Sequence, residues 1–429
     1  MARSYYKDRS LGSRPPCAIC GGAGEGPRAE LHLPAGVSVW LCAAHRSQGF
    51  QRRRVGRDLV VSLMAVWGAA GCLDRRRHRA LDLHPIPSHF FRFWLWLTTG
   101  QVTKEWASIH RKHHAKCDTE EDPHSPQTRG IRKVLFEGAE LYRAESKVKE
   151  TMEKYGHGTP DDWIERHVYT GRSTLGVASL LVINVALFGV LGLTVWAVQM
   201  MWIPITAAGI INGLGHWWGY RNYDCNDAAT NIFPWGILIG GEELHNNHHT
   251  YATSAKLSSK WYEFDLGWGY IRMLEMVGLA KVKKVAPKPK LAKNKAQADF
   301  DTLQSVIANR YDVMAKYAKS VRHAFHEEFE HLKDKAQLES RFLKSARKLM
   351  EREPAKLESS QKQQLVELFQ HSKALETMHN MRVELGAIWE RSHSTRDQLL
   401  HQLQDWCNRA EASGIKALQE FSMRLRSYA

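Results

Sequence analysis

Gly241-Glu242-Glu243-Leu244-His245-Asn246-Asn247-His248-His249 is the stretch on which the reading of this chain turns. It holds an HxxHH triplet, and a second stands at His110-Arg111-Lys112-His113-His114. With 22 His in 429 residues, chance supplies roughly 0.06 such triplets per chain, so two together are not background. On a helix, positions i, i+3 and i+4 share one face about 5–6 Å apart. Each triplet can therefore turn three imidazoles toward one or two metal ions. Isolated histidines such as His323 and His371 carry no such implication and read as surface residues.

Neutral imidazoles suit iron, zinc, copper or nickel, whereas magnesium and calcium prefer oxygen donors. A hydrolytic zinc site uses three protein ligands and one open position. Two triplets with outlying histidines exceed that and fit two metal ions. Soluble di-iron proteins build their sites from Glu-x-x-His on a four-helix bundle; here histidine takes the place of the carboxylates.

Outward from the triplets, Leu175 to Gly215 is 41 residues long without an Asp, Glu, Lys or Arg. As helix this is about 60 Å, enough for two crossings of a hydrocarbon layer about 30 Å thick. With a turn at Gly189 to Thr194, such a hairpin returns the chain to the side it left, so both triplets share one face. Arg166, Arg172 and Arg221 flank the run, which by the positive-inside tendency makes that face cytoplasmic. Phe90 to Thr99, broken by Arg92, is too short to cross; it reads as an interfacial helix with Trp94 and Trp96 at the headgroup level. Histidines at the mouth of a membrane hairpin suggest an acyl chain entering from lipid and an oxygen-activating centre.

The remainder is polar. A net charge of +15 and a pI near 9.4 favour anionic surfaces. Mean hydropathy is −0.43 despite 15 Trp, so an apolar part is diluted by a polar one. Seven scattered cysteines form no disulfide framework and point to a reducing compartment. Up to Arg79 there are 13 Arg and one Lys. In this segment Cys17-x-x-Cys20 and Cys42-x-x-His45 have the spacing of a small Zn2+ knuckle. Leu59 to Cys72 is apolar, but as helix it reaches only about 21 Å. Lys281 to Lys295 carries seven Lys and reads as a linker. Residues 297–352 and 355–427 show apolar residues at helical spacing, split at Pro354, and predict a helical hairpin or small bundle. Because its lysines are mixed with Glu and Asp, no nucleic-acid partner is expected.

The strings HRALDLH (78–84), EWASIHRKHHAKCDTEEDPHSP (105–126), NGLGHWWGYRNY (212–223) and GGEELHNNHHTY (240–251) resemble the membrane-bound fatty acid desaturases, specifically the bacterial acyl-CoA (delta-9 type) branch. The resemblance covers residues 78 to about 284. It implies a mainly α, integral-membrane fold with a cytoplasmic histidine-box domain, in a bacterial inner membrane. It also implies two Fe2+ ions, with ligands carried over as His78, His110, His113, His114, His216, His245, His248 and His249. Asn212, four residues before His216, holds a metal-bound water in this scheme. The implied reaction uses O2 and two electrons to form a cis double bond in a fatty acyl chain carried as acyl-CoA or phospholipid. With no fused electron carrier evident, the donor is expected to be a separate ferredoxin- or cytochrome-type protein with its reductase.

The family's first box opens with a histidine five residues before His78, where this chain has Leu73. The two transmembrane helices expected before it are replaced by the arginine-rich segment. An altered N-terminus joined near Arg77 accounts for both; His84 and His89 are the candidates to substitute, though nothing in their spacing argues for it. The organisation expected is an atypical segment 1–77, a desaturase domain 78–284 and a charged helical domain 285–429. The far C-terminal string WCNRAEASGIKALQEFSMRLRSYA also resembles the tail of some bacterial transposases. Two other functions remain open: a truncated, non-catalytic membrane or interaction protein, and a hydroxylase of the same superfamily.

Overall fold

The uncharged run folds as the helices Ser173–Phe188 and Leu191–Ile203, the second continuing as a π-helical stretch, Pro204–Leu214. Pro204 has no N–H to give to the α-helical ladder, and the wider stretch opens there. The structure, a computed structural model, describes the backbone of residues 28–32 and 38–42, residues 72–73, 75–76, 78–292, 295–335, 338–350, 357–390 and 394–429.

Leu191–Leu214 has 24 residues, with only 33% of its apolar window buried, and is long and apolar enough to cross a membrane. The first helix, with 16 residues, spans about 24 Å, short of the ~30 Å that a full crossing needs. The expected pair of crossings is therefore one full-length helix and one shorter partner. The turn is also tighter than expected: Phe188 is followed by Gly189 at φ +60°, and the second helix begins at Leu191. Leu175, Val182, Leu187, Leu193 and Met201 point outward. The faces toward each other are joined by a buried hydrogen bond, Asn184 Nδ2 donating to Gln199 Oε1 at 2.9 Å. Such a bond ties helices where no water competes.

Against this hairpin pack two further helices. Ile131–Glu145 lies on the π-helical stretch through Gly138, where an added Cβ would come within 2.6 Å of the Ala208 carbonyl oxygen. Pro85–Thr99 packs on Ser173–Phe188. The charge that seemed to break this segment is turned inward: Arg92 is buried and pairs with Asp162 Oδ2 at 2.7 Å and Glu165 Oε2 at 3.3 Å. Trp96 is likewise buried, donating its indole N–H to the Arg172 carbonyl. An ion pair within reach makes the inward arginine tolerable, so this helix is a packed element and Trp96 is not a headgroup anchor.

Strand Leu81–Leu83 pairs antiparallel with Ala280–Val282, drawing the two ends of the histidine-bearing region together. Trp235–Gly236 pairs in parallel with Phe264–Asp265. Near the N-terminus Arg28–His32 and Ser38–Cys42 form an antiparallel pair.

The C-terminal part is a bundle of seven helices among the described residues, from Phe300–Ala308 to Lys416–Arg426. The expected hairpin or bundle is thus a bundle. Its core, which includes Tyr317, Trp406 and Phe421, is drawn entirely from residues 298–428. Its contacts with the rest of the chain include Arg382 Nη2 to Asp224 Oδ2 at 2.7 Å, the rings of Tyr311 and Tyr251, and an antiparallel bridge between Leu291 and Tyr428.

Candidate metal centre

The second triplet lies on the helix Thr103–Lys116 and the third on the short helix His245–Thr250. The asparagines between the third-box histidines explain why so short a helix holds its position. Asn246 accepts the backbone N–H groups of Asn222 and Tyr223 and donates to the carbonyls of Tyr223 and Ala229. Asn247 accepts from Asn222 Nδ2 and donates to Leu257 O and Glu263 Oε2. With both amides satisfied in the interior, His245, His248 and His249 are left facing the other way.

The imidazoles gather into two groups. In the first, donor atoms of His78, His110, His114 and His248 all lie within 4.8 Å of one another. Three of these are mutually close through Nε2: His114 to His248 at 2.9 Å, His114 to His110 at 3.2 Å and His248 to His110 at 3.3 Å. An imidazole Nε2 is either a donor or an acceptor. In a triangle at least one pair must then be like facing like, so hydrogen bonding alone cannot satisfy it. A cation shared by three lone pairs does. Nitrogens about 2.1 Å from one ion stand roughly 3.0–3.4 Å apart at angles of about 90–110°, the spacing seen here.

In the second group, His216 Nε2 stands 3.2 Å from His113 Nε2 and 3.0 Å from His245 Nε2, with the ring of His249 tilted alongside, its centroid 4.4 Å from that of His245. The outer nitrogens of three rings face carboxylates. His113 Nδ1 is 2.9 Å from Asp122, His249 Nδ1 is 3.0 Å from Asp227 and His216 Nδ1 is 3.4 Å from Asp118. A carboxylate behind Nδ1 holds the proton there and turns the Nε2 lone pair inward, as in metal sites. His249 Nε2 is buried without a hydrogen-bond partner, and a metal ion there would satisfy it. The donors of both groups fit such ions.

Electrostatics agree. Burial, reinforced by neighbouring imidazoles, holds His110, His114, His245, His248 and His249 well below the usual histidine range and hence neutral. His113 is the exception: burial lowers it, but the charge and hydrogen bond of Asp122 outweigh that and raise it. Burial and Asp227 push the Cys117 thiol up; its Sγ, 3.7 Å from His249 Nδ1, stands with donor atoms of His113, His216 and His249 within 4.8 Å of one another.

A cleft reaches both groups, touching His110 of the first and His245 of the second. Trp106, Ile203, Ala207, Ile211 and Ile239 make its walls apolar, and Gln101, Asn212 and Glu242 are its polar members. Ile203 to Asn212 belong to the membrane-length helix, so the cleft runs from that helix to the histidines.

Of the residues singled out from the sequence, all eight histidines converge, and Asn212 lines the cleft beside them. Leu73 does not join them; it is 2% exposed in an apolar cluster with Ala80, Leu81 and Ile271. His84 caps the helix Pro85–Thr99 by accepting the Ile86 N–H, and His89 pairs with Arg92. Cys17, Cys20 and His45 lie outside the described residues, and Cys42 is described only as the end of a strand. Sequence reading overlooked Asp118, Asp122, Asp227, His124 and Glu242. The acidic turn following the second triplet was the available signal for the first two. Arg75 was overlooked as well: it is 1% exposed, donates to Gly240 O and pairs with Asp265 at 2.7 Å, behind the turn that leads into the third box.

A family model described as fatty acid desaturase matches residues 77–272, and one described as transposase matches residues 296–429. Among curated proteins, an acyl-CoA 5-desaturase of Anemone leveillei is 30% identical over 245 residues, covering 53% of this chain and 71% of that protein. A probable chloroplastic lipid desaturase of Arabidopsis thaliana is 30% identical over 206 residues, 47% of this chain and 55% of the relative. An sn-1 stearoyl-lipid 9-desaturase of Anabaena variabilis is 30% identical over 190 residues, 43% and 66% respectively. The chain thus spans little more than half to two thirds of the length of several relatives it matches.

Proposed function

Starting from a chain that belongs to the fatty acid desaturase family, we propose that residues 78–284 form a two-iron centre that desaturates a fatty acyl chain. The observation that carries this reading is the unsatisfiable Nε2 triangle of His110, His114 and His248 at the end of an apolar cleft. His78, His110, His114 and His248 would hold one iron, and His113, His216, His245 and His249 the other, with Asn212 supporting a bound water. Iron there supplies the reduction of O2 by two electrons from a separate donor protein.

The chain's own residues do the rest. Trp106 and the isoleucines of the cleft bind and straighten the acyl chain by apolar contact. Asp118, Asp122 and Asp227 keep their imidazoles in the tautomer that faces inward. The apolar wall excludes water from the reacting methylenes. The balance is one saturated –CH2–CH2– unit, O2, two electrons and two protons giving –CH=CH– and two water molecules. In this reading the apolar hairpin enters a bilayer and the histidines lie on its cytoplasmic side, the side of Arg166, Arg172 and Arg221.

The burial of Leu73 in an apolar cluster favours a second reading, a truncated desaturase body that no longer turns over. One experiment separates the two. The detergent-purified chain is assayed for iron, and membranes producing it are assayed for new monounsaturated acyl chains. Two irons per chain with new double bonds support the desaturase. Iron without product supports the truncated body, hydroxylated product identifies a hydroxylase, and a folded, reduced chain without iron overturns the metal centre.

A further inference from the structure

The polar wall of the cleft holds a group that the histidine boxes do not account for. Glu242 lies three residues before His245 and is 7% exposed. Its Oε2 is 3.7 Å from Nε2 of His248, the same nitrogen that His248 turns toward His114 and His110. This approach differs from that of the other carboxylates. Asp118, Asp122 and Asp227 meet the Nδ1 atoms of His216, His113 and His249, on the outer edges of the rings. Glu242 meets the inner edge, where the donors converge.

The geometry points to Glu242 as a direct carboxylate ligand, from the cleft side, of the ion held by His78, His110, His114 and His248. The inference rests on the two-metal reading and deepens it. Two donors about 2.1 Å from one ion are roughly 3.0 Å apart at a right angle and roughly 4.2 Å apart when opposite. The observed 3.7 Å falls between these limits. Charge argues the same way. Four neutral imidazoles leave a divalent ion's charge uncompensated in a buried site, and a carboxylate ligand removes half of it. The two ions then differ in kind: one has a mixed imidazole and carboxylate shell, the other has carboxylates only behind its imidazoles. Oxygen in the shell also shifts preference away from copper and nickel.

The test uses the full chain in detergent, reconstituted with 57Fe, as wild type and as Glu242→Gln, which keeps shape and removes charge. Iron is counted and its Mössbauer spectrum recorded, with near-ultraviolet circular dichroism as the folding check. The wild type is expected to show two inequivalent quadrupole doublets. Glu242→Gln is expected to lose one doublet and about one iron, or to bind that iron at least tenfold more weakly, leaving the other doublet unmoved. Two irons at wild-type affinity with unchanged doublets in Glu242→Gln would overturn the ligand assignment while leaving the two-metal reading intact. So would a single doublet from a two-iron wild type, a result that needs no variant to fold. A wild-type chain that binds no iron would overturn both.

Discussion

Asp122 touches His113 with both carboxylate oxygens, at 2.9 and 3.0 Å, and also accepts the backbone N–H groups of Asp118 and His124. It can therefore hold the ring of His113 and the turn after it at once. Asp122→Asn keeps the shape but can no longer fix the Nδ1 proton, and iron affinity should fall about 10–100-fold. Competition with a chelator measures this, and unchanged retention would refute the role. The neutral histidines give a second prediction at this scale. In the metal-free fold, His110, His114, His245, His248 and His249 lie well below 6.5, and His124 is lowered to about 3, by burial first. Unfolded, each would titrate near 6.5. As pH falls below about 6.5 the unfolded chain takes up protons that the fold refuses, so stability is lost on acidification. His113, raised by Asp122, acts in the opposite sense: its contribution is present below its unfolded value and fades as pH rises. Six groups against one decide the direction. The chelator-treated chain should melt at a lower temperature at pH 5.5 than at pH 7.5, and equal melting temperatures would contradict the neutral cluster. Histidine spacing made the ligands legible in the sequence. Asp227, which reaches His249 across 22 residues, was not legible, because only chain closure brings it to the ring; Glu242 stands within the third-box stretch itself, but spacing does not say that its carboxylate turns back toward His248.

At the scale of elements, a long uncharged run announces apolar helices, but its length does not divide evenly. Gly189 closes the first helix after 16 residues, and the second runs on through the π-helical stretch to Leu214. Composition records the run and not where its turn falls. The same limit applies to Pro85–Thr99: an arginine within an aromatic stretch suggests an interfacial helix until Asp162 and Glu165, far along the chain, are seen to pair with it. What composition could not show at all is the close approach at Gly138. There an added Cβ would stand 2.6 Å from the Ala208 carbonyl oxygen and 3.1 Å from its Cβ. Neither the backbone atom nor the π-helical stretch behind it can move without disturbing Ile211 and Asn212, which line the cleft. Gly138→Leu should therefore destabilise the chain by about 1–3 kcal/mol through overpacking and lower the melting temperature of the detergent-solubilised protein. A variant that melts with the wild type would show that the two helices are not held at this distance.

For the whole molecule, the decisive feature is that two cores share one chain. The histidine-bearing region draws its ends together through Leu81–Leu83 and Ala280–Val282, and the bundle's core is built solely from residues 298–428. Between them lies the lysine-rich stretch 281–295, most of whose described residues are exposed. The two family models fall on either side of it, the desaturase model ending at 272 and the transposase model beginning at 296. Side-chain contacts across the boundary include the partly buried pair Arg382–Asp224 and the ring contact Tyr251–Tyr311. Separate cores of this kind are expected to behave as domains, although backbone bonds tie Lys290 and Ala292 to the bundle and Lys283 and Lys284 to the histidine-bearing region. Brief trypsin treatment of the folded, iron-loaded chain should cut first within 281–295. The two fragments should then separate on a sizing column, with the iron remaining on the one that holds His78 to His249. Iron released on cleavage, or fragments that stay together, would mean that the bundle is part of the metal centre's support and that Tyr311 against Tyr251, one residue beyond the third-box helix, is the contact through which it acts.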